Sequence, residues 1–142
     1  MHWELDAAWF GGWSGIEMAD KGNRMTVMND RGQMVHTTLQ REDGKITGVA
    51  VQSRVRLRAS SGRNLHGKDS DSEGLAIADD GSAYISFEQR HRIMQVDLAS
   101  GGTFGSVSLP FDNTLGSNSG IEALAVSANG TLFAIPEQPP ED

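Results

Sequence analysis

The amino-acid sequence predicts an all-β chain, a partial β-propeller of about two and a half four-stranded antiparallel blades. Three observations lead there: a repeat that recurs in register, turn dipeptides at the same place inside it, and 17 glycines against 6% aromatic residues. That last balance suits a chain that turns often better than a helix bundle.

The repeat is the primary signal, because self-similarity at a fixed period marks an array of like units. Glu73-Gly74-Leu75-Ala76-Ile77-Ala78-Asp79-Asp80-Gly81 and its continuation to Glu88 lie without a gap over the stretch from Glu122 to Glu137, 49 residues on. A looser copy, Ser14-Gly15-Ile16-Glu17-Met18-Ala19-Asp20-Lys21-Gly22 followed by Met25 to Asp30, stands 59 residues before the second, with one residue inserted after its glycine. Periods of roughly 40–50 residues belong to propeller blades or to helical and kelch-type arrays.

Turn chemistry decides for strands. Asp80-Gly81 and Asn129-Gly130 are the dipeptides of a two-residue type I′ turn, so each repeat opens with a hairpin. In the second repeat, 92–98 and 103–109 read as two more strands around Ser100-Gly101-Gly102; in the first, 33–40 and 46–52 flank a turn at 42–45. Four strands make a blade. The expected boundaries are a first blade at about 10–58, a second at about 72–110 and half of a third at about 120–138, in a single domain over 1–142. A free-standing sandwich also uses short strands and frequent turns, but it does not require an in-register repeat. With the type I′ register, Leu75, Ile77 and Tyr84 share one face of the second hairpin, and Ala76, Ala83, Ile85 and Phe87 the other.

Two and a half blades cannot close a ring, and the outer edge and apolar face of the last hairpin would lack partners. The chain is therefore expected to be a fragment of a longer ring and to self-associate when isolated. A net charge of −7 would repel nucleic-acid phosphates and excludes that partner class. Absence of cysteine removes disulfides, thiolate metal sites and thiol nucleophiles together. No apolar run approaches the ~18 residues of a membrane span, and Met1-His2-Trp3-Glu4 lacks the basic-then-apolar layout of a secretion signal.

The same register yields the candidate site. A two-residue turn sets Glu73 opposite Glu88 and Glu122 opposite Glu137, and facing carboxylates repel unless a cation lies between them, one is protonated, or the strands splay into solvent. In a propeller all four would gather at one mouth of the central channel, where Asp30 ends the second strand of the first blade. Such a ring of oxygens suits a hard divalent cation such as Ca²⁺. The competing readings are a solvated acidic rim, or glutamates bonded to backbone N–H groups of neighbouring blades.

Arg31 and Arg90, beside these carboxylates, would either neutralise them or grip an anionic substrate, and His91 follows Glu88 in the same loop. Asp69-Ser70-Asp71-Ser72-Glu73-Gly74 opens like an EF-hand loop, but Asp80 stands where a bidentate glutamate belongs, and 75–77 reads as strand. Asp69 and Asp71 then only add charge at the mouth. Gly12-Trp13-Ser14-Gly15 falls short of a nucleophile elbow, and His2, His36, His66 and His91 have no zinc spacing. Arg54, Arg56 and Arg58 alternate with Val55 and Leu57, as on a strand with one solvated face.

Phe10-Gly11-Gly12-Trp13-Ser14-Gly15-Ile16, Met28-Asn29-Asp30-Arg31, Asp71-Ser72-Glu73-Gly74-Leu75-Ala76-Ile77, Ile85-Ser86-Phe87-Glu88, Ile121-Glu122-Ala123-Leu124-Ala125 and Pro136-Glu137 occur in the order of a known family. From about residue 10 to 137 the chain resembles the family called esterase-like activity of phytase. The resemblance implies a bacterial, periplasmic or secreted, six-bladed propeller-like domain that hydrolyses phosphate or carboxylic esters. Glu73, Glu88, Glu122, Glu137 and Asp30 would then hold the cation, and Arg31, Arg90 and His91 would contact a small anionic or ester substrate. The later motifs of the family are absent from residues 1–142, so this stretch alone is expected to be inactive. A lactonase of the gluconolactonase type and a non-catalytic binding scaffold are the alternatives, since fold does not fix function.

Overall fold

A computed structural model describes residues 1–109, 115 and 120–138; position 110, the expected end of the second blade, lies outside them. Ten strands among these residues form three antiparallel sheets. The first comprises β1 (Trp13–Ala19), β2 (Arg24–Asn29), β3 (Gln33–Glu42) and β4 (Lys45–Arg56), the second β5 (Ser72–Ile77), β6 (Ala83–Phe87), β7 (Arg92–Val96) and β8 (Thr103–Val107), and the third β9 (Ile121–Val126) and β10 (Leu132–Pro136). Each sheet is a simple meander in chain order. The sheets meet through their first strands, β1 against β5 and β5 against β9. This is the propeller-like, all-β arrangement that the repeat implies.

Alternation of apolar residues explains the packing, since successive side chains of a strand point to opposite faces. Met28, Met34, Leu57, Leu75, Ile85 and Phe87 fill the space between the first two sheets. Met25, Val27, Val35 and Leu39 point the other way, and Trp3, Trp9 and Trp13 pack against them. Trp3 stacks on Trp13 with ring centroids 5.6 Å apart, while Phe10 meets both edge-on at 4.8 and 5.2 Å. The segment before β1 is thus a cover for the outer face of the first sheet, a role that no repeat or turn signal in the sequence announces.

Two joints of the same design hold the sheets together. A Cβ added to Gly15 would lie 2.9 Å from Leu75 Cβ, and one added to Gly74 would lie 2.8 Å from Leu124 Cβ, so only glycine permits the first strands to approach this closely. Serine hydroxyls cross the joints: Ser14 Oγ donates to Ser72 O at 2.6 Å, Ser72 Oγ to Asn29 O at 2.8 Å, and Ser86 Oγ to Ile121 O at 2.7 Å.

The hairpins correct the expected register. Gly81 N–H donates to Ala78 O at 2.9 Å and Ala78 N–H to Ser82 O at 2.8 Å, which makes the loop three residues long. Gly81 has φ +89°, whereas Asp80 does not take the positive φ that type I′ demands. The turn is of type I, closed by a left-handed glycine as a G1 bulge, and it moves the pairing by one residue. Leu75 faces Ile85, Ala76 faces Tyr84 and Ile77 faces Ala83. Asn129-Gly130 repeats the geometry: Gly130 N–H donates to Ser127 O and Ser127 N–H to Thr131 O, and Phe133 faces Ala125. The carboxylate of Asp80 and the amide oxygen of Asn129 favour this turn by accepting the N–H groups of Ser82 and Thr131.

Consequently Tyr84 lies on the face of Ala76, and Ala83, Ile85 and Phe87 join Leu75 and Ile77 in the core. In the third sheet Phe133 and Ile135, 57% and 64% exposed, share the outer face with Ala123 and Ala125.

Candidate metal centre

Each first strand opens with a β-bulge. In β1 the extra residue falls between Trp13 and Gly15, in β5 between Ser72 and Leu75, and in β9 between Ile121 and Ala123. Ser14, Glu73 and Glu122 therefore occupy the same place in three successive sheets. Beyond the bulges the strands pair again: Asp30 N–H donates to Gly12 O at 3.0 Å, Glu88 N–H to Asp71 O at 2.9 Å and Glu137 N–H to Gly120 O at 2.9 Å. Glu88 is thus opposite Asp71, and Glu137 opposite Gly120. The cross-strand pairs 73/88 and 122/137 that the type I′ register requires do not form.

The carboxylates gather nonetheless, because a bulge re-aims its side chain. Oxygens of Asp71, Glu73 and Glu88 lie within 4.8 Å of one another, and so do those of Glu88, Glu122 and Glu137. Glu88 belongs to both groups and joins them. Asp30 stands outside these groups but close enough for its charge to act on Glu73. Among the described residues no ion pair reaches Asp71, Glu73, Glu88, Glu122 or Glu137.

Crowding without neutralisation has a direct effect on protonation. Burial, followed by the charges of Glu122, Asp71, Glu88 and Asp30, pushes the Glu73 carboxyl up to about 7. Glu122 is raised too, by burial and then by Glu137, Glu88 and Asp71. Since the folded state binds the Glu73 proton more tightly than the unfolded chain, its contribution to stability is full below about pH 4.5 and is lost as pH rises through about 7. Without divalent cations, the urea midpoint of the parent should fall over that window more steeply than that of Glu73→Gln. Equal slopes in the two proteins would show that Glu73 is not the group responsible.

Residues 8–142 match a family model described as phytase-like, esterase-like activity of phytase. The chain belongs to the phytase-like family. A search of curated proteins found no match. Among solved structures the fold is similar to the glutaminyl cyclase of Myxococcus xanthus, with 16% identity, a TM-score of 0.60 and 90% of this chain covered. It is also similar to the hydrazine synthase of Kuenenia stuttgartiensis, with 15% identity, a TM-score of 0.50 and 94% covered. At such identities the likeness is one of fold. The chain spans 52% of the first protein and 31% of the second.

The other site residues of this phytase-like chain take different positions from the carboxylates. Arg31 donates from Nη2 to Gly11 O at 2.8 Å and lies 3.9 Å from Asp30 Oδ1. Arg90 pairs with Asp69 at 2.8 Å, and Arg92 donates to Asp69 O while covering the Phe87 ring at 3.9 Å. Arg90 and Arg92 thus brace the loop before β5 and do not neutralise Glu88. His91 is half-buried in the turn between them.

Asn29 is the organising residue that chemistry-based motif reading passes over. Fully buried, it donates to Trp9 O and Gly11 O and accepts from the N–H groups of Arg31 and Gln33. It thereby fixes the strand end that carries Asp30. Residues 75–77 are strand, which excludes the EF-hand reading of the preceding acidic run.

Proposed function

We propose that Asp71, Glu73, Glu88, Glu122 and Glu137, with Asp30 beside them, hold a divalent cation, Ca²⁺ by their chemistry, at the mouth of a propeller channel where phosphate or carboxylic esters are hydrolysed. The observation that carries this reading is the convergence of five carboxylates with no arginine or lysine among them. All donors are oxygens, the set that hard cations select. When bound, such an ion polarises an ester oxygen and lowers the pKa of a water.

The chain's own residues support this chemistry. Glu73, whose carboxyl is pushed up to about 7 when no cation is bound, must give up its proton to act as a ligand, so cation uptake should be coupled to proton release. Arg31 presents a guanidinium at the Asp30 edge of the cluster, where it can orient an anionic ester. The three sheets are read as two blades and the first half of a third in a six-bladed ring, the count that family membership supports. A periplasmic or secreted location, implied by the resemblance, is part of the same proposal. The uncovered Phe133 and Ile135 support self-association of the isolated chain.

Ca²⁺ should raise the thermal midpoint, since an ion that binds only the folded state stabilises it by about 2.7 kcal/mol at a hundredfold excess over Kd. The double variant Glu73→Gln/Glu122→Gln should lose that rise, and a rise unchanged in the variant would refute these ligands. Phosphate esters, carboxylic esters and lactones, each assayed with and without chelator, identify the reaction, and turnover insensitive to chelation excludes a cation mechanism.

A further inference from the structure

We infer that a second subsite, built to hold an oxyanion, lies along β4 in the groove that leads away from the carboxylate cluster, with Arg54 and Arg56 as its donors and Arg58 at its far end. The groove encloses about 700 Å³ and begins at Asp30 and Asp71, then runs past Trp9 and Arg31 to Arg54 and Arg56. A second hollow of about 470 Å³ shares Gln33, Arg54 and Arg56 with it and extends to Arg58 and Ser100. One continuous furrow therefore has carboxylates at one end and only cationic charge at the other. In a chain of net charge −7 this is a local reversal of sign.

The guanidinium groups are held in place with donor capacity to spare. Arg54 lies over the Trp9 ring at 5.2 Å and makes no hydrogen bond to a described residue. Stacking on an aromatic face fixes a guanidinium while leaving its N–H groups in the ring plane to donate. Arg56 donates from Nη2 to Leu65 O at 3.3 Å and meets His66 Nδ1 at 3.2 Å. Its Nε is buried without a partner. A buried N–H of a charged group without an acceptor is unfavourable, so Arg56 keeps hydrogen-bonding capacity that no described residue meets.

Arginine's planar fork matches the paired oxygens of a phosphate or a carboxylate. The ligand class is thus a molecule whose oxyanion sits on Arg54 and Arg56 while its other end reaches Asp30 and Asp71. That this other end reacts rests on the function proposed above; the oxyanion site itself does not.

The experiment is calorimetric titration of the chain with inorganic phosphate, and separately with acetate, in the presence of chelator at low salt. Binding of one or both anions is expected, weakening as salt rises. Arg54→Gln/Arg56→Gln should weaken it at least tenfold, and the exposed Arg54→Gln alone should weaken it measurably with the circular dichroism spectrum unchanged. Arg54→Lys/Arg56→Lys should restore only part, because an ammonium lacks the fork. Glu73→Gln should bind as the parent does, which separates this site from the cation centre. Full affinity in Arg54→Gln and in the double glutamine variant, or loss of binding in Glu73→Gln, would overturn the assignment.

Discussion

Replacing Phe87 by alanine is expected to lower the unfolding free energy by about 3–5 kcal/mol, the usual cost of emptying a buried aromatic site. Phe87 has no exposed surface and lies in the core between the first two sheets. Its ring also carries the Arg92 guanidinium at 3.9 Å. Against a total stability of about 5–15 kcal/mol for a typical domain, such a loss brings the fold close to its limit. Because Phe87 ends β6 one residue before Glu88, the Ca²⁺ response should weaken as well. Urea denaturation measures the first effect and the Ca²⁺-dependent midpoint the second. A loss below about 1 kcal/mol would mean that the two sheets do not share the core described.

Gly74→Val should be a strongly damaging small-to-large change, at or above the roughly 1–3 kcal/mol typical of overpacking. A Cβ at this position would lie 2.6 Å from Ser86 Oγ, 2.8 Å from Leu124 Cβ and 3.3 Å from Leu124 N. The last of these is backbone and cannot swing aside. The substitution also disturbs Ser86, which accepts the Gly74 N–H at 2.7 Å and donates to Ile121 O across the joint. The expected damage is local: faster amide exchange in β9 and β10, with β2 and β3 still protected. Uniformly faster exchange would show that the third sheet does not move as a separate unit.

What could be read from the sequence depended on what was repeated. The gapless match of 73–88 to 122–137 carried the hairpins, the sheet order and the recurrence of glutamate at equivalent places. The turn type was not legible, because Asp-Gly serves both a two-residue type I′ loop and the last two positions of a three-residue loop. That ambiguity displaced the partners of Tyr84 and Ile85 by one residue. The bulge moves the pairing a second residue in the same direction, so Glu88 comes opposite Asp71, and Glu73 meets Glu88 only because the bulge re-aims its side chain. Bulges at Ser14, Glu73 and Glu122 leave no trace in hydrophobic alternation, which is already interrupted by the neighbouring Gly15 and Gly74. Trp3, Trp9 and Phe10 follow no strand period, so their cover over the first sheet emerges only in three dimensions. Arg54, Arg56 and Arg58 do follow one, and alternation alone made them a solvated face until Trp9 and the loop at Gly67 and Ser70 supplied the walls of a groove.

The bulge that recurs at Ser14, Glu73 and Glu122 separates two kinds of constraint that most positions must satisfy together. A residue within a regular ladder answers to its partner across the strand and to the packing beneath it. The inserted residue answers to neither, since it lies outside the pairing and turns its side chain away from the core. Each sheet thus has one address where chemistry can be rewritten without rewriting the fold. The first sheet uses that address for a hydroxyl that ties it to its neighbour, and the other two use it for negative charge. Copying such a unit multiplies the addresses along with the scaffold, so a lineage could assemble a reactive lining one substitution at a time without altering the strand pairing.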